Sequence, residues 1–313
     1  MIDDKSQINQ KENINGTTPL FIACQNGDLE TFNLLIDEIT DEDLNYQDNK
    51  GKTLLHAACE GENLEIIDKL LNKLNVDPNI VNNEGKTPLR TSIAMKNADI
   101  FELIVNHSPV EIDVNEKLND VTLLEFACEK GCFEIVQTLL KKEGIQVNPL
   151  DSKEVPPLLC ACEIWRTDII KLLLSEVPDI DVNVSQSNGR RALHYACQKG
   201  DVEISDMILS KSAECVSSRT TDKTTPLELA CQNGNAEVIA LLLKYIGDIQ
   251  INAKFYDGNT ILTKACIQQS VEIVKFLLEK TPVDVNATNN NDKTALFIVC
   301  ENGNEQLCQM LLD

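Results

Sequence analysis

The chain has 313 residues, 42% of them hydrophobic but only 4% aromatic, with 13 glycines, a composition too thin for the two compact cores that this length ordinarily holds. Its 28 Lys and Arg against 50 Asp and Glu leave a net charge of -22, which argues against nucleic acid and anionic membrane surfaces, because both are gripped by cations. The 12 cysteines fall well below the roughly 8–10% that marks a disulfide framework, so reduced thiols are expected. The opening residues Met1-Ile2-Asp3-Asp4-Lys5 lack a secretory pattern, and no apolar run reaches the roughly 18 residues needed to span a bilayer. A cytoplasmic protein without a membrane partner is the expectation.

Residues 1–11 read as a polar tail, and from residue 12 onward the chain repeats itself. Ala23-Cys24 returns as Ala58-Cys59, Ala127-Cys128, Ala161-Cys162, Ala196-Cys197, Ala230-Cys231 and Ala265-Cys266, with Ser92-Ile93 and Val299-Cys300 in the two remaining slots. Successive slots lie alternately 35 and 34 residues apart, the mark of a single array of nine repeats. Their approximate bounds are 12–46, 47–80, 81–115, 116–149, 150–184, 185–218, 219–253, 254–287 and 288–313.

Each repeat opens at a tip slot occupied in order by Gly16, Gly51, Gly85, Asp120, Glu154, Gly189, Lys223, Gly258 and Asp292. A Thr follows, as in Thr18-Pro19-Leu20, Thr53-Leu54-Leu55, Thr87-Pro88-Leu89 and Thr225-Pro226-Leu227. Its hydroxyl is expected to cap a short first helix, with Pro in the first turn where a missing N–H costs nothing. Gly27, Gly131, Gly200, Gly234 and Gly303 then end that helix in a left-handed turn. A second helix follows, with apolar residues at i, i+3 and i+4 in 133–140 and 271–278. After it, Asp113-Val114-Asn115, Asp181-Val182-Asn183 and Asp284-Val285-Asn286 are expected to open an extended hairpin towards the next repeat. The expected core is the helix-1 leucine of each repeat (Leu20, Leu55, Leu89, Leu124, Leu158, Leu193, Leu227, Leu262, Leu296) and the small residue three places later.

This pattern resembles the ankyrin repeat, whose signature is Thr-Pro-Leu-His-x-Ala, although only His56 and His194 fill the His slot. The resemblance covers residues 12–313 and implies an all-α solenoid of stacked helix-turn-helix repeats joined by β-hairpin loops. At about 10 Å per repeat the stack would be a curved rod on the order of 90 Å long.

Other chemical signals fail on inspection. Eight cysteines take the slot after the small residue, where a small buried hydrophobe suffices. Neighbours about 10 Å apart cannot form the disulfide that needs Cα atoms within about 7 Å. No Cys-x-x-Cys pair exists to seed a zinc site. Gly51-Lys52-Thr53 and Gly85-Lys86-Thr87 mimic the end of a phosphate loop, but Tyr46 and Ile80 stand where its first Gly belongs. His56 and His194 are expected to tie hairpins together and His107 to sit at a helix end; none has a nucleophile beside it. No catalytic residue, cofactor or metal is therefore expected.

The resemblance implies a non-enzymatic scaffold that recognises a protein partner through hairpin tips and helix 1. Six outward positions in each of nine repeats make 54, carrying ten basic and nine acidic residues, so that face is expected to be nearly neutral. Seven of its ten large apolar residues fall in repeats three to five: Val81, Met95, Leu118, Val121, Leu150, Val155 and Ile164, with the lone Trp165 adjacent. They make a candidate apolar groove. The competing reading has Trp165 folding down to plug a distorted turn, since repeat five has Glu154 in its tip slot and Pro156 in its Thr slot. Those defects predict proteolysis near residues 152–166. At the far end Cys308, Met310, Leu311 and Leu312 lack a polar capping repeat. The expectation is a monomer unless that end associates, or alternatively a regulatory or targeting segment of a longer protein whose effector part lies beyond residue 313.

Overall fold

The first helix starts where a threonine hydroxyl satisfies a backbone donor that the helix itself leaves unpaired: Thr18 Oγ1 accepts from Phe21 N at 3.2 Å, with Pro19 in the first turn. The same device opens helices at Thr53, Thr87, Thr122, Thr225, Thr260 and Thr294. Pro156 and Arg191 hold that slot in repeats five and six, where no side chain caps the helix. In repeat six the bond runs one way, from Arg191 N to His194 Nδ1 inside the helix at 3.1 Å.

A computed structural model describes residues 15–73, 75–148, 155–246 and 251–313. The chain divides into two compact halves, Met1–Gln146 and Val147–Asp313. The N-terminal half contains α1 (Pro19–Gln25), α2 (Leu29–Leu35), the single-turn α3 (Asp41–Leu44), α4 (Leu54–Glu60), α5 (Leu64–Leu71), α6 (Pro88–Met95), α7 (Ala98–His107), strands β1 (Lys117–Leu118) and β2 (Val121–Thr122), α8 (Leu123–Lys130) and α9 (Phe133–Leu140). Here first helices pack in series, α1 on α4, α4 on α6 and α6 on α8, and second helices likewise, α2 on α5, α5 on α7 and α7 on α9.

The C-terminal half contains α10 (Pro157–Glu163), α11 (Thr167–Glu176), α12 (Ala192–Lys199), α13 (Val202–Lys211), α14 (Pro226–Gln232), α15 (Ala236–Ile246), α16 (Ile261–Ile267), α17 (Val271–Lys280), α18 (Ala295–Glu301) and α19 (Glu305–Leu312). Its even-numbered helices form one layer and its odd-numbered helices the other. Both halves are thus all-α solenoid segments, in which a short helix buries its stripe against its neighbours and not within a central core. The expected leucines from Leu20 to Leu262 are buried, as are the small residues from Ala23 to Val299. Leu296 on α18 is the exception, being only half-buried.

The turn between paired helices is more uniform than its sequence. All nine turns place one residue in the left-handed region, yet Glu62, Lys96, Trp165 and Gln269 fill the position that Gly27, Gly131, Gly200, Gly234 and Gly303 fill elsewhere. In eight of the nine a hydrogen bond runs back to the small residue's carbonyl, as in Asp28 N to Ala23 O (2.9 Å) and Arg166 N to Ala161 O (3.0 Å), and the Glu62 turn closes through Glu62 N to Cys59 O (3.2 Å) instead. Trp165 therefore occupies a regular turn, not a distorted one. Residues 155–166 fold as their counterparts do; residues 152–154, the rest of the expected cleavage zone, lie outside the described residues.

Hairpins depart from expectation in the other direction. Among the described residues, the only strand pair is β1 with β2, antiparallel with Lys117 opposite Thr122 and Leu118 opposite Val121. Elsewhere the arms are too short for a ladder and close through single bonds such as Asp48 N to Lys52 O (2.9 Å). Side chains make up the difference. Asp48 Oδ1 accepts from Lys50 N and Lys52 N, both at 2.8 Å, and Asn82 and Asn289 bind their own tips similarly. The hairpin asparagines reach to the next repeat: Asn115 donates to Gly144 O and accepts from Gln146 N, both at 2.9 Å.

The histidine slot bridges repeats where His or Arg fills it. His56 Nδ1 accepts from Thr53 N at 3.2 Å, which leaves the proton on Nε2 to donate to Lys86 O at 2.9 Å. Arg90 takes the same slot in repeat three, donating to Val121 O at 2.6 Å and pairing with Glu116 at 3.4 Å. His107, at the end of α7, pairs with Asp68 at 2.9 Å.

Candidate protein-binding surface

In the N-terminal half the sequence singles out Val81, Met95, Leu118 and Val121. Val81 is 49% exposed, and its carbonyl is held by Gln47 Nε2 at 2.9 Å. Leu118 and Val121 face each other across the β1–β2 turn, with Asn119 and Asp120 both left-handed between them. Leu118 is half-buried because it lies over the preceding hairpin: a Cβ on Gly85 would stand 2.6 Å from its Cδ1. That contact makes Leu118 part of the framework as well as of the surface. Met95 ends α6 and is half-buried.

In the C-terminal half Val155 is 39% and Ile164 45% exposed. Trp165 is half-buried, with Lys199 Nζ 5.9 Å from its ring centroid. Leu150 lies outside the described residues. Exposed apolar side chains at Val81, Val155 and Ile164 stand on positions that the stack does not need.

A second cluster escapes a search for apolar residues. On the hairpins of repeats seven and eight, exposed Arg219, Lys223 and Lys254 line one cavity with Tyr256, and Val216, Leu227 and Ile251 supply its apolar wall. Lys223 Nζ lies 4.5 Å from the Tyr256 centroid, and Tyr256 is 64% exposed. Nearby Asp257 is taken up by Lys264, so the local balance is cationic on an acidic chain. The signal available in the sequence was Lys223 in a slot that Gly usually fills.

The buried cysteines behave as packing groups. Burial pushes the Cys24 and Cys266 thiols up to about 12 and Cys215 up to about 11, and raises Cys59, Cys162, Cys197 and Cys231 further. Burial lowers His194 to about 4 and lowers His56 as well, so both are neutral struts at pH 7. Among the described residues no group of three or more His, Cys, Asp or Glu is placed to hold a metal ion, and no helix is long and apolar enough to cross a membrane.

A family model described as ankyrin repeats, three copies, matches residues 2–82, 62–151, 143–219, 208–289 and 227–313, nearly the whole chain. The chain belongs to the ankyrin-repeat family. Among solved structures, the ankyrin repeat domain of Bcl-3, a member of the IkappaB family, is similar with a TM-score of 0.60 and 24% identity. That match covers 74% of this chain and 99% of the Bcl-3 chain and concerns the fold. Similar curated proteins include the ankyrin repeat and KH domain-containing protein mask-1 of Caenorhabditis elegans, 27% identical over 58% of this chain and 8% of its own length. The transient receptor potential cation channel subfamily A member 1 of Homo sapiens is 24% identical over 62% of this chain and 18% of its own. The serine/threonine-protein kinase TNNI3K of Mus musculus is 32% identical over 28% of this chain and 11% of its own. Ankyrin repeats are protein–protein interaction modules, and the chain aligns with a minor part of each of these longer relatives.

Proposed function

We propose that this ankyrin array is a non-enzymatic scaffold that binds a protein partner through its hairpin tips and helix-1 faces, as a cytoplasmic monomer. What supports it is the division of labour among residues: framework slots are buried and hydrogen-bonded, while Val81, Val155, Ile164 and Tyr256 are exposed large side chains on variable slots. Such exposed apolar and aromatic groups supply most of the energy in protein interfaces. The proposed contact residues are taken half by half: Val81, Met95, Leu118 and Val121 on the N-terminal half, and Val155, Ile164 and Trp165 on the C-terminal half, to which the sequence adds Leu150.

Val81→Glu with Ile164→Glu tests this better than a change at Leu118, whose contact with Gly85 confounds binding with folding. Affinity capture from native lysate should lose, by at least about tenfold, a protein that the unaltered chain retains, with far-UV helicity unchanged. Equal capture by both chains would refute the assignment of the surface. A second reading, that the array is the recognition part of a longer protein, is favoured by the relatives, of which it matches 8%, 18% and 11%. A transcript whose reading frame continues past Asp313 would establish it, and an in-frame stop after Asp313 would exclude it.

A further inference from the structure

Two thiols meet in repeat nine. Cys300 on α18 and Cys308 on α19 place their Sγ atoms 3.6 Å apart. The juxtaposition is built into the repeat, because the residue eight places after the cysteine slot sits against it on the paired helix. In the other repeats that residue is Phe32, Ile67, Phe101, Val136, Ile170, Ser205, Ile239 or Val274, all fully buried. Repeat six carries the polar Ser205 at that place, its hydroxyl donating to Asp201 O at 2.7 Å. Repeat nine alone carries cysteine at both places.

It also alone leaves the slot open. Cys300 is exposed and Cys308 half-buried, whereas nine of the other ten cysteines are buried and Cys160 is half-buried with its Sγ 3.8 Å from Val155 O. Thiol–disulfide exchange needs an accessible attacking thiolate and a second thiol within reach of the mixed disulfide. Only this pair meets both conditions among the described residues.

We propose that Cys300 and Cys308 form a redox modification site that closes to an intramolecular disulfide by exchange with a low-molecular-weight disulfide of the glutathione class. The Cys300 thiolate attacks one sulfur of oxidised glutathione, the S–S bond breaks, and one glutathione thiolate leaves. Cys308 loses its proton, its thiolate attacks the Cys300 sulfur, and the second glutathione thiolate leaves. Two protein thiols are oxidised, one glutathione disulfide is reduced to two thiols, and the two protons lost by the cysteines are taken up by the leaving thiolates. Closure clamps α18 to α19, and a reducing thiol reverses it. Cys300 is exposed and Cys308 half-buried, so Cys300 meets the disulfide first and Cys308 resolves the adduct.

The test incubates the full chain with oxidised glutathione, alkylates it and maps the peptides without reduction. The expected product has lost two hydrogens, carries a Cys300–Cys308 link, keeps its other thiols alkylatable after denaturation, and reverts with dithiothreitol. Cys308→Ser should stop at a glutathione adduct on Cys300, and Cys300→Ser should stay unmodified, both with unchanged helicity. A glutathione adduct that persists on Cys300 in the unaltered chain, a link to any other cysteine or to a second chain, or no reaction at all would overturn the proposal.

Discussion

Lys96 and Gly234 occupy the same place in their repeats and pose opposite problems. Lys96 sits at φ 59° as the left-handed residue after α6, a conformation that costs a side-chain-bearing residue about 1 kcal/mol or more. Lys96→Gly relieves that strain but frees the unfolded chain, so a net gain of roughly 0.5 kcal/mol is expected. Gly234, at φ 75°, has nothing within 4 Å of where its Cβ would stand, so Gly234→Ala carries the backbone cost alone, about 1 kcal/mol. Gly61 differs in cause: its φ of -76° suits any residue, but a Cβ would fall 2.1 Å from Cys24 O on the preceding helix. Gly61→Ala should cost the most of the three, about 2 kcal/mol or more, through forced separation of α1 and α4. Urea midpoints of the three variants check the order, and a Gly61→Ala midpoint at or above that of Gly234→Ala would show that close approach is not what demands glycine there.

Helices are the elements the sequence records most fully, because their starts and stops are written in residues with a single local job, Thr18, Thr53 and Thr225 at one end and Gly131 and Gly200 at the other. The left-handed turns at Glu62, Lys96, Trp165 and Gln269 were not legible, since a tertiary requirement for chain reversal overrides the residue that fills it. Hairpin arms were over-read as extended because Asp-x-Asn motifs serve side-chain bridges more than ladders. On the candidate surface, exposure of Val81, Val155 and Ile164 follows from their register, but the seating of Leu118 on Gly85 depends on how one hairpin meets the next, which no single repeat encodes. The bridge between repeats three and four makes the same point energetically. Removing Arg90 leaves Val121 O without that donor and the Glu116 carboxylate, which burial already raises, without its counter-charge. Arg90→Ala should cost about 2–3 kcal/mol, and Arg90→Ala with Glu116→Gln clearly less than the sum of the single changes. Additive losses in a double-mutant cycle would mean the two side chains act independently.

At the scale of the whole molecule, acid pulls stability in two directions. Lowering the pH towards the pI near 4.5 titrates away the net charge of -22 and relieves self-repulsion. Glu116 and Glu228, raised by burial, work the same way, since the folded state binds their protons more readily than the unfolded one. Buried His194 works against them. Its folded value of about 4 lies below the ordinary 6.5, so between those limits the unfolded chain binds the proton and the folded chain refuses it. The stability His194 contributes is therefore full above about pH 6.5 and is lost as pH falls towards 4, with His56 adding in the same direction. Between pH 7 and pH 5 the His194 share amounts to about 2 kcal/mol. His194→Gln keeps a donor for Thr224 O, which His194 Nε2 meets at 3.3 Å, but cannot take up a proton. Urea unfolding at both pH values should therefore show the unaltered chain losing ground to His194→Gln on acidification, whatever the sign of the overall trend. Parallel pH dependence in the two chains would mean that His194 is protonated in the folded array, and that its bridge to the next hairpin does not depend on a neutral ring.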